Sequence, residues 1–271
     1  MATLIGIAAQ WRSIAVAVVL ASVMPHDGMG QMTQAPPART AEALPKPLVY
    51  LRDVDPSIVQ DMRYAGSNNF TGAVVPGYTA AECILTRQTA EALATVQRHV
   101  AKLGLSLKVY DCYRPARAVS AFMRWTHSAS GNTTSSRFHP VVPRHRLAAL
   151  GYISARSGHS RGHVVDLTLI PMPRHETPVF VPEQIYGTCT ASVEKRAPDD
   201  SLDMGTAFDC FDERSSTHAS GISDAQAKNR QTLADAMKRA GFVTYHREWW
   251  HFSFPAGDPG RIFDVDVTAH P

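Results

Sequence analysis

Gly162-His163-Val164-Val165-Asp166-Leu167-Thr168-Leu169 is the stretch that decides how the rest of the chain is read. Its apolar and β-branched residues alternate with the period of a strand. Val164, Asp166 and Thr168 fall on one face, and Val165, Leu167 and Leu169 on the other. An acid inside a strand is costly to bury alone, so Asp166 calls for a cation, a metal or an edge position. His159 lies seven positions earlier, a separation that no helical face accommodates. The two residues must therefore meet as a loop histidine and a strand aspartate, either as a structural ion pair or as part of a metal site.

A second cluster far along the chain bears on that choice. Arg247-Glu248-Trp249-Trp250-His251-Phe252 places an acid and an imidazole three apart beside two large aromatics. His159, Asp166 and His251 together form a three-ligand set of the kind that holds one catalytic zinc. A fourth position stays open for water, whose pKa falls to about 7. Glu248 is then the candidate base that takes the water's proton and hands it to the leaving amine. On a regular strand Glu248 and His251 face opposite sides, so the arrangement requires Glu248 on a preceding turn, or a bulge. Core packing accounts for Trp249 and Trp250, which would also help to exclude water. His163 points away from Asp166 on a regular strand.

Working outward, Leu48–Val54 reads as a strand, Thr86–Leu103 as a helix and Leu105–Tyr110 as a strand. Ala116–Trp125 is helical after Pro115, and Ser128–Arg146 is a long surface loop placed to cover the site. Val164–Ile170 is a strand, Asp224–Ala240 a helix ended by Gly241, and Trp249–Phe254 a strand before a turn at Pro255–Pro259. The fold class is α+β: a small mixed or antiparallel sheet carries the zinc site, with helices flanking it. With 44% hydrophobic and 19% charged residues and a mean hydropathy of −0.16, this is an ordinary globular composition. The net charge of +3 is mild, and the basic residues are not interleaved with aromatics, which argues against nucleic acid as a partner.

The N-terminus differs. Ser13–Met24 is an apolar run after Arg12, shorter than the roughly 20 residues of a spanning helix. Residues 1–30 read as a secretory signal, with Gly28-Met29-Gly30 as a cleavage pattern and a buried helix as the alternative. Residues 31–47, rich in Ala, Pro, Thr and Gln, read as a linker, and residues 48–271 as the catalytic domain. The mature chain then has no membrane span and is secreted or periplasmic. Export would place Cys83, Cys112, Cys189 and Cys210 in an oxidising compartment. Four cysteines allow three connectivities, of which Cys189–Cys210 with Cys83–Cys112 is the one preferred here; free buried thiols are the competing reading. None of the four is expected in a catalytic role.

Ser157-x-His159-x-x-Gly162-x-Val164-x-Asp166 followed by Glu248-Trp-Trp-His251 resembles the zinc D-alanyl-D-alanine dipeptidases of the VanX type. Asp61-Met-Arg-Tyr64, Asn69-Phe-Thr-Gly72, Asp111-Cys-Tyr-Arg-Pro115, Gly151-Tyr-Ile-Ser154, Asp203–Asp209 and Phe263–Val267 resemble family segments in the same order, from about Leu48 to the C-terminus. The resemblance implies hydrolysis of a small D,D-dipeptide in cell-wall peptide metabolism, with one Zn2+ on His159, Asp166 and His251. It also implies Glu248 as base, Arg114 polarising the scissile carbonyl, Asp209 meeting the substrate ammonium, Ser157 its carboxylate end and Tyr64 the pocket wall. Val164 departs from the wider motif, which usually has Ala there. The rival on the same fold is a D,D- or L,D-carboxypeptidase of longer wall peptides, with Asp209 as the discriminating residue. An inactive wall-peptide binding module is disfavoured, because ligands, base and arginine are all present.

Overall fold

In the computed structural model, which describes residues 44–128, 133–255 and 261–271, short strands alternate with helices along the chain. The order is β1 (Leu48–Tyr50), β2 (Val59–Gln60), β3 (Ile84–Thr86), α1 (Arg87–Ala101), β4 (Leu105–Asp111) and α2 (Ala116–His127). Then come α3 (Thr133–Ser136), β5 (Val164–Pro171), α4 (Asp224–Arg239), β6 (Val243–Tyr245) and β7 (Glu248–Ser253). A five-stranded sheet in the order β2-β4-β5-β7-β6 is antiparallel except for the β2–β4 pair, and β1 and β3 form a separate antiparallel pair. This is the α+β mixed sheet expected from the sequence.

The helices begin and end where side chains satisfy the free backbone groups. Thr86 caps α1, accepting from Thr89 N, and Ser223 with Gln226 closes a reciprocal capping box on α4. Gly241, in the left-handed region, follows the end of α4. Leu93, Val96 and Val100 of α1 and Leu233, Ala236 and Met237 of α4 are buried in one core with Leu107, Val109, Val165, Leu167 and Leu169 of the sheet. The alternation read from β5 thus sends one row of its side chains to the apolar core and leaves Asp166 and Thr168 in the other row.

That second row is covered by loop. Lys108, 2% exposed, contacts Asp199 and Asp200 at 2.5 Å, and Arg63 reaches Asp199 at 2.6 Å. Tyr110 Oη donates to the same carboxylate, and Thr168 Oγ1 is 2.5 Å from Ser201 Oγ. A buried lysine and arginine that share Asp199, with Asp200 also on the lysine, fix the segment around residues 199–201 to the sheet.

Several elements differ from the sequence reading. The first strand stops at Tyr50, because Leu51–Asp53 turns as a 3-10 helix that buries Leu51 and bonds Leu51 N to Cys83 O. In Ser128–Arg146, expected as surface loop, the described residues include α3 and a 3-10 turn, and Phe138 is buried. Residues 1–43, with the signal reading and most of the linker, and residues 256–260 of the expected turn lie outside the described residues. Leu44 packs against the core, and Leu48 N bonds Pro45 O just before β1. Both preferred cysteine pairs are disulfides, Cys83–Cys112 and Cys189–Cys210.

Candidate active site

Three strands contribute adjacent residues to one row. Asp111 of β4 pairs with Asp166 of β5, which pairs with His251 of β7, after a register shift between Val109 and Asp111 that leaves Tyr110 unpaired. The β6–β7 hairpin is irregular too. From Thr244 to Tyr245 the partner on β7 moves from Phe252 to Glu248, so Trp249–His251 bulge out of register. Such a bulge was needed to put Glu248 and His251 on the same side, and Glu248 Oε2 lies 3.6 Å from His251 Nδ1.

The Ser157–Gly162 turn delivers His159. Ser157 Oγ accepts from His159 N at the start of a 3-10 turn over Gly158–Arg161, and Gly162 ends it at φ 72°. A Cβ on Gly162 would come within 2.7 Å of Leu48 Cδ2 and 3.2 Å of Thr86 N, so both the conformation and the space require glycine. A Cβ on Gly158 would sit 2.6 Å from Val164 Cγ2. The larger side chain at position 164 therefore uses room that Gly158 leaves open.

His159 and His251 converge on Asp166. His159 Nδ1 is 2.8 Å from Cys112 O, an acceptor only, so that nitrogen carries the proton and Nε2 presents a lone pair. His159 Nε2 lies 3.3 Å from Asp166 Oδ2 and 3.4 Å from His251 Nδ1, which is 3.0 Å from Asp166 Oδ1. Asp166 Oδ1 is buried and has no partner with hydrogen-bond geometry. Converging lone pairs around an orphaned carboxylate oxygen fit a cation. The separation of the imidazole nitrogens is close to the roughly 3.3 Å between two ligands of a tetrahedral zinc with bonds of about 2.0 Å. Among the described residues, His159, Asp166 and His251 are the group that could hold a metal ion; His163 is not in it.

Electrostatics points the same way. Asp111, Asp166, Asp209 and Glu248 are all buried here, and the Arg114 guanidinium is set among them. It donates to Asp111 at 2.9 and 2.7 Å and lies 3.6 Å from Asp166, with the Tyr64 and Phe122 rings beside it. Burial works against the Asp166 carboxylate, yet His159 and His251 hold its pKa well below the usual range. Burial, and then the charges of Asp166 and Asp209, raise the Glu248 carboxyl well above the ordinary value. The Asp209 carboxyl is raised by burial and then by Asp166. Tyr64 is raised for the same reasons, by burial and the Asp209 charge, so it stays protonated and donates to Asp209 Oδ2 at 2.9 Å.

A cavity of about 290 Å³ opens over this row. All eight residues singled out from the sequence line it: His159, Asp166, His251, Glu248, Arg114, Asp209, Tyr64 and Ser157. No described residue of 128–146 lines it; Phe138 instead supports the wall from behind by accepting from Phe211 N. The sequence reading gave no role to Asp111, which is fully buried, accepts from Tyr78 Oη at 2.6 Å and holds Arg114. An acid at the end of an alternating strand, three residues before an arginine, was the available signal. The Cys112 carbonyl on His159 has no signature in side-chain sequence at all.

Among known proteins, a family model described as D-ala-D-ala dipeptidase, of the M15 peptidases, matches residues 45–176 and 188–268. A D-alanyl-D-alanine dipeptidase of Enterococcus faecalis is 37% identical over 192 residues, covering 71% of this chain and 83% of the relative. One from Enterococcus faecium is 35% identical over 219 residues, 80% of this chain and 96% of the relative. One from Escherichia coli is 30% identical over 208 residues, 77% and 84% of the two chains.

Proposed function

This chain belongs to the M15 family of D-Ala-D-Ala dipeptidases and is a metal-dependent hydrolase of that dipeptide; from that premise we propose that His159, Asp166 and His251 hold one zinc ion. The Asp166 carboxylate carries the proposal, with its Oδ1 orphaned and the two imidazoles each within 3.3 Å of one of its oxygens. Two nitrogens and a carboxylate oxygen are a donor set that suits zinc. A zinc ion there supplies Lewis acidity, acidifying water and polarising a carbonyl.

The protein's own groups do the rest. Glu248, with its raised pKa, accepts a proton from the attacking water and delivers it to the amine that leaves. Arg114, held by Asp111, keeps a fixed positive charge where the scissile carbonyl oxygen becomes negative, with no reorganisation needed at that moment. Asp209, oriented by Tyr64, receives the free ammonium of the dipeptide, while Ser157, also in the cavity wall, meets its carboxylate end. Asp209 in the cavity wall favours the dipeptide over longer wall peptides, whose N-terminal side carries no charge to pair with it. Turnover of free D-amino-acid dipeptides is then the link to cell-wall peptide metabolism.

The two disulfides support a site of action outside the cytosol, in line with reading residues 1–30 as an export signal, 31–47 as a linker and 48–271 as the catalytic domain. No described helix is long and apolar enough to cross a membrane.

Elemental analysis of active protein tests the metal assignment. One zinc per chain is expected, with activity on D-Ala-D-Ala lost on chelation and restored by zinc; full activity in protein holding no metal, or a different one, refutes it.

A further inference from the structure

Asp209 is held in a conformation and a place that it would leave if free. It is the one non-glycine residue with positive φ among the described residues, at 58°, a conformation that costs an L-residue energy unless its surroundings impose it. Its side chain is buried beside the Asp166 charge. No strand or helix carries it, for it lies between residues 202 and 212, outside all the regular elements.

The turn is tied to other segments of the chain, and two of those ties, one on each side of Asp209, run to Cys189. Cys189 O accepts from Ala207 N at 2.8 Å, while Cys189 Sγ is bonded to Cys210. The same residue therefore grips the chain on both sides of Phe208-Asp209. Cys189 N in turn donates to Arg137 O at 2.8 Å, and Phe211 N donates to Phe138 O at 2.7 Å. Without the disulfide, the side of the turn after Asp209 would keep the bonds of Phe211 N to Phe138 O and of Ser215 Oγ to Cys210 O and the packing of the Phe211 ring on Phe70 and Tyr152, but no covalent hold on the residue that follows Asp209.

We propose that the Cys189–Cys210 disulfide is a positioning element for substrate recognition, holding Asp209 in its left-handed turn so that its carboxylate faces the substrate ammonium. This rests on the reading of Asp209 as the ammonium partner. The crosslink touches no substrate and acts only through Asp209.

A specificity ratio tests it. The kcat/KM for D-Ala-D-Ala, divided by that for N-acetyl-D-Ala-D-Ala, is independent of how much of a preparation is folded. A purely structural crosslink would therefore leave the ratio unchanged. The ratio is measured in the zinc-loaded full chain for wild type, Asp209→Asn, Cys189→Ala and the double variant Cys189→Ala/Cys210→Ala. Both cysteine variants are expected to lower the ratio about tenfold or more, mainly through KM for the free dipeptide, and in the same direction as Asp209→Asn. If Asp209→Asn leaves the ratio unchanged, the ammonium reading itself fails. If Asp209→Asn lowers it while the cysteine variants keep the wild-type ratio, the ammonium reading stands and the positioning proposal is overturned. Should neither cysteine variant fold well enough to turn over either substrate, the crosslink is a stability device and the proposal falls as well.

Discussion

The two ends of the cavity are built by different means. At the metal end, Asp111, Asp166 and His251 are neighbours across three hydrogen-bonded strands, and a short capped turn adds His159. At the ammonium end, Tyr64 and Asp209 come from a 3-10 turn and an irregular loop 145 residues apart, joined by one hydrogen bond. A sheet sets the first geometry through its own backbone pairing. The second is flanked by ties from outside, the Cys189 crosslink and the ionic cluster of Arg63, Lys108, Asp199 and Asp200, on which we propose that it depends. Damage to a group at the metal end should therefore appear in chemistry or metal affinity, and damage to the supports of the ammonium end in substrate affinity and stability.

The sharpest break in that comparison is Glu248→Gln, which removes the proton carrier but no ligand. We expect kcat to fall by about 10²- to 10⁴-fold with zinc content unchanged, read by steady-state kinetics beside metal analysis. Loss of the metal in this variant would mean that Glu248 is itself a ligand. Asp111→Asn comes next. It weakens the hold on Arg114 and alters the charge 3.4 Å from His159 Nδ1, so competition with a chelator should show zinc affinity reduced by about 10- to 100-fold. An unchanged affinity would confine Asp111 to the orientation of Arg114.

Asp199→Asn probes the other end. It leaves Lys108 with one close carboxylate and Arg63 with Asp61, and breaking a buried pair of this kind costs about 3 kcal/mol. Despite burial, Arg63 and Lys108 hold the Asp199 carboxyl below its ordinary pKa. A depressed folded-state pKa gives stability that is complete above the unfolded value and fades as acid approaches the folded one. The difference in Tm between wild type and variant should thus persist from neutral pH to about pH 5, begin to narrow near about pH 4 and shrink further towards the acid limit. A difference independent of pH down to the acid limit would show that the charge of Asp199 is not what the cluster uses. The smallest effect belongs to Ser157→Ala. Loss of the turn's cap should lower stability by about 1 kcal/mol, with KM for the dipeptide raised less than tenfold and kcat nearly unchanged. A larger fall in kcat would place Ser157 in the chemistry.

The metal end is legible in the amino-acid sequence because each of its parts leaves a local trace. A period-two strand with one acid, a glycine-bounded turn with one histidine and an aromatic strand with Glu248 and His251 are patterns within a few residues. The need for a bulge also follows from strand parity alone. Asp209 can be named only through family resemblance, since no periodicity singles it out; its left-handed backbone lies in a turn tied to Phe138 and Cys189, far away in sequence. Phe138 shows the opposite error, a residue in a polar stretch that reads as surface and is buried in the common core.

By itself, then, the sequence determined the alternation of β5, the stop of α4 at Gly241, the metal-type donors and the even set of cysteines, because these depend on backbone geometry and side-chain chemistry over short spans. Only the tertiary structure decided that Asp111 stands behind Arg114, that a carbonyl of Cys112 fixes the tautomer of His159, and that one residue, Cys189, holds the chain on both sides of Asp209, by its carbonyl and by its disulfide. Those are contacts between segments brought together by burial of a common core. Their energies come from excluding water around charges far apart in sequence, and no local pattern records them.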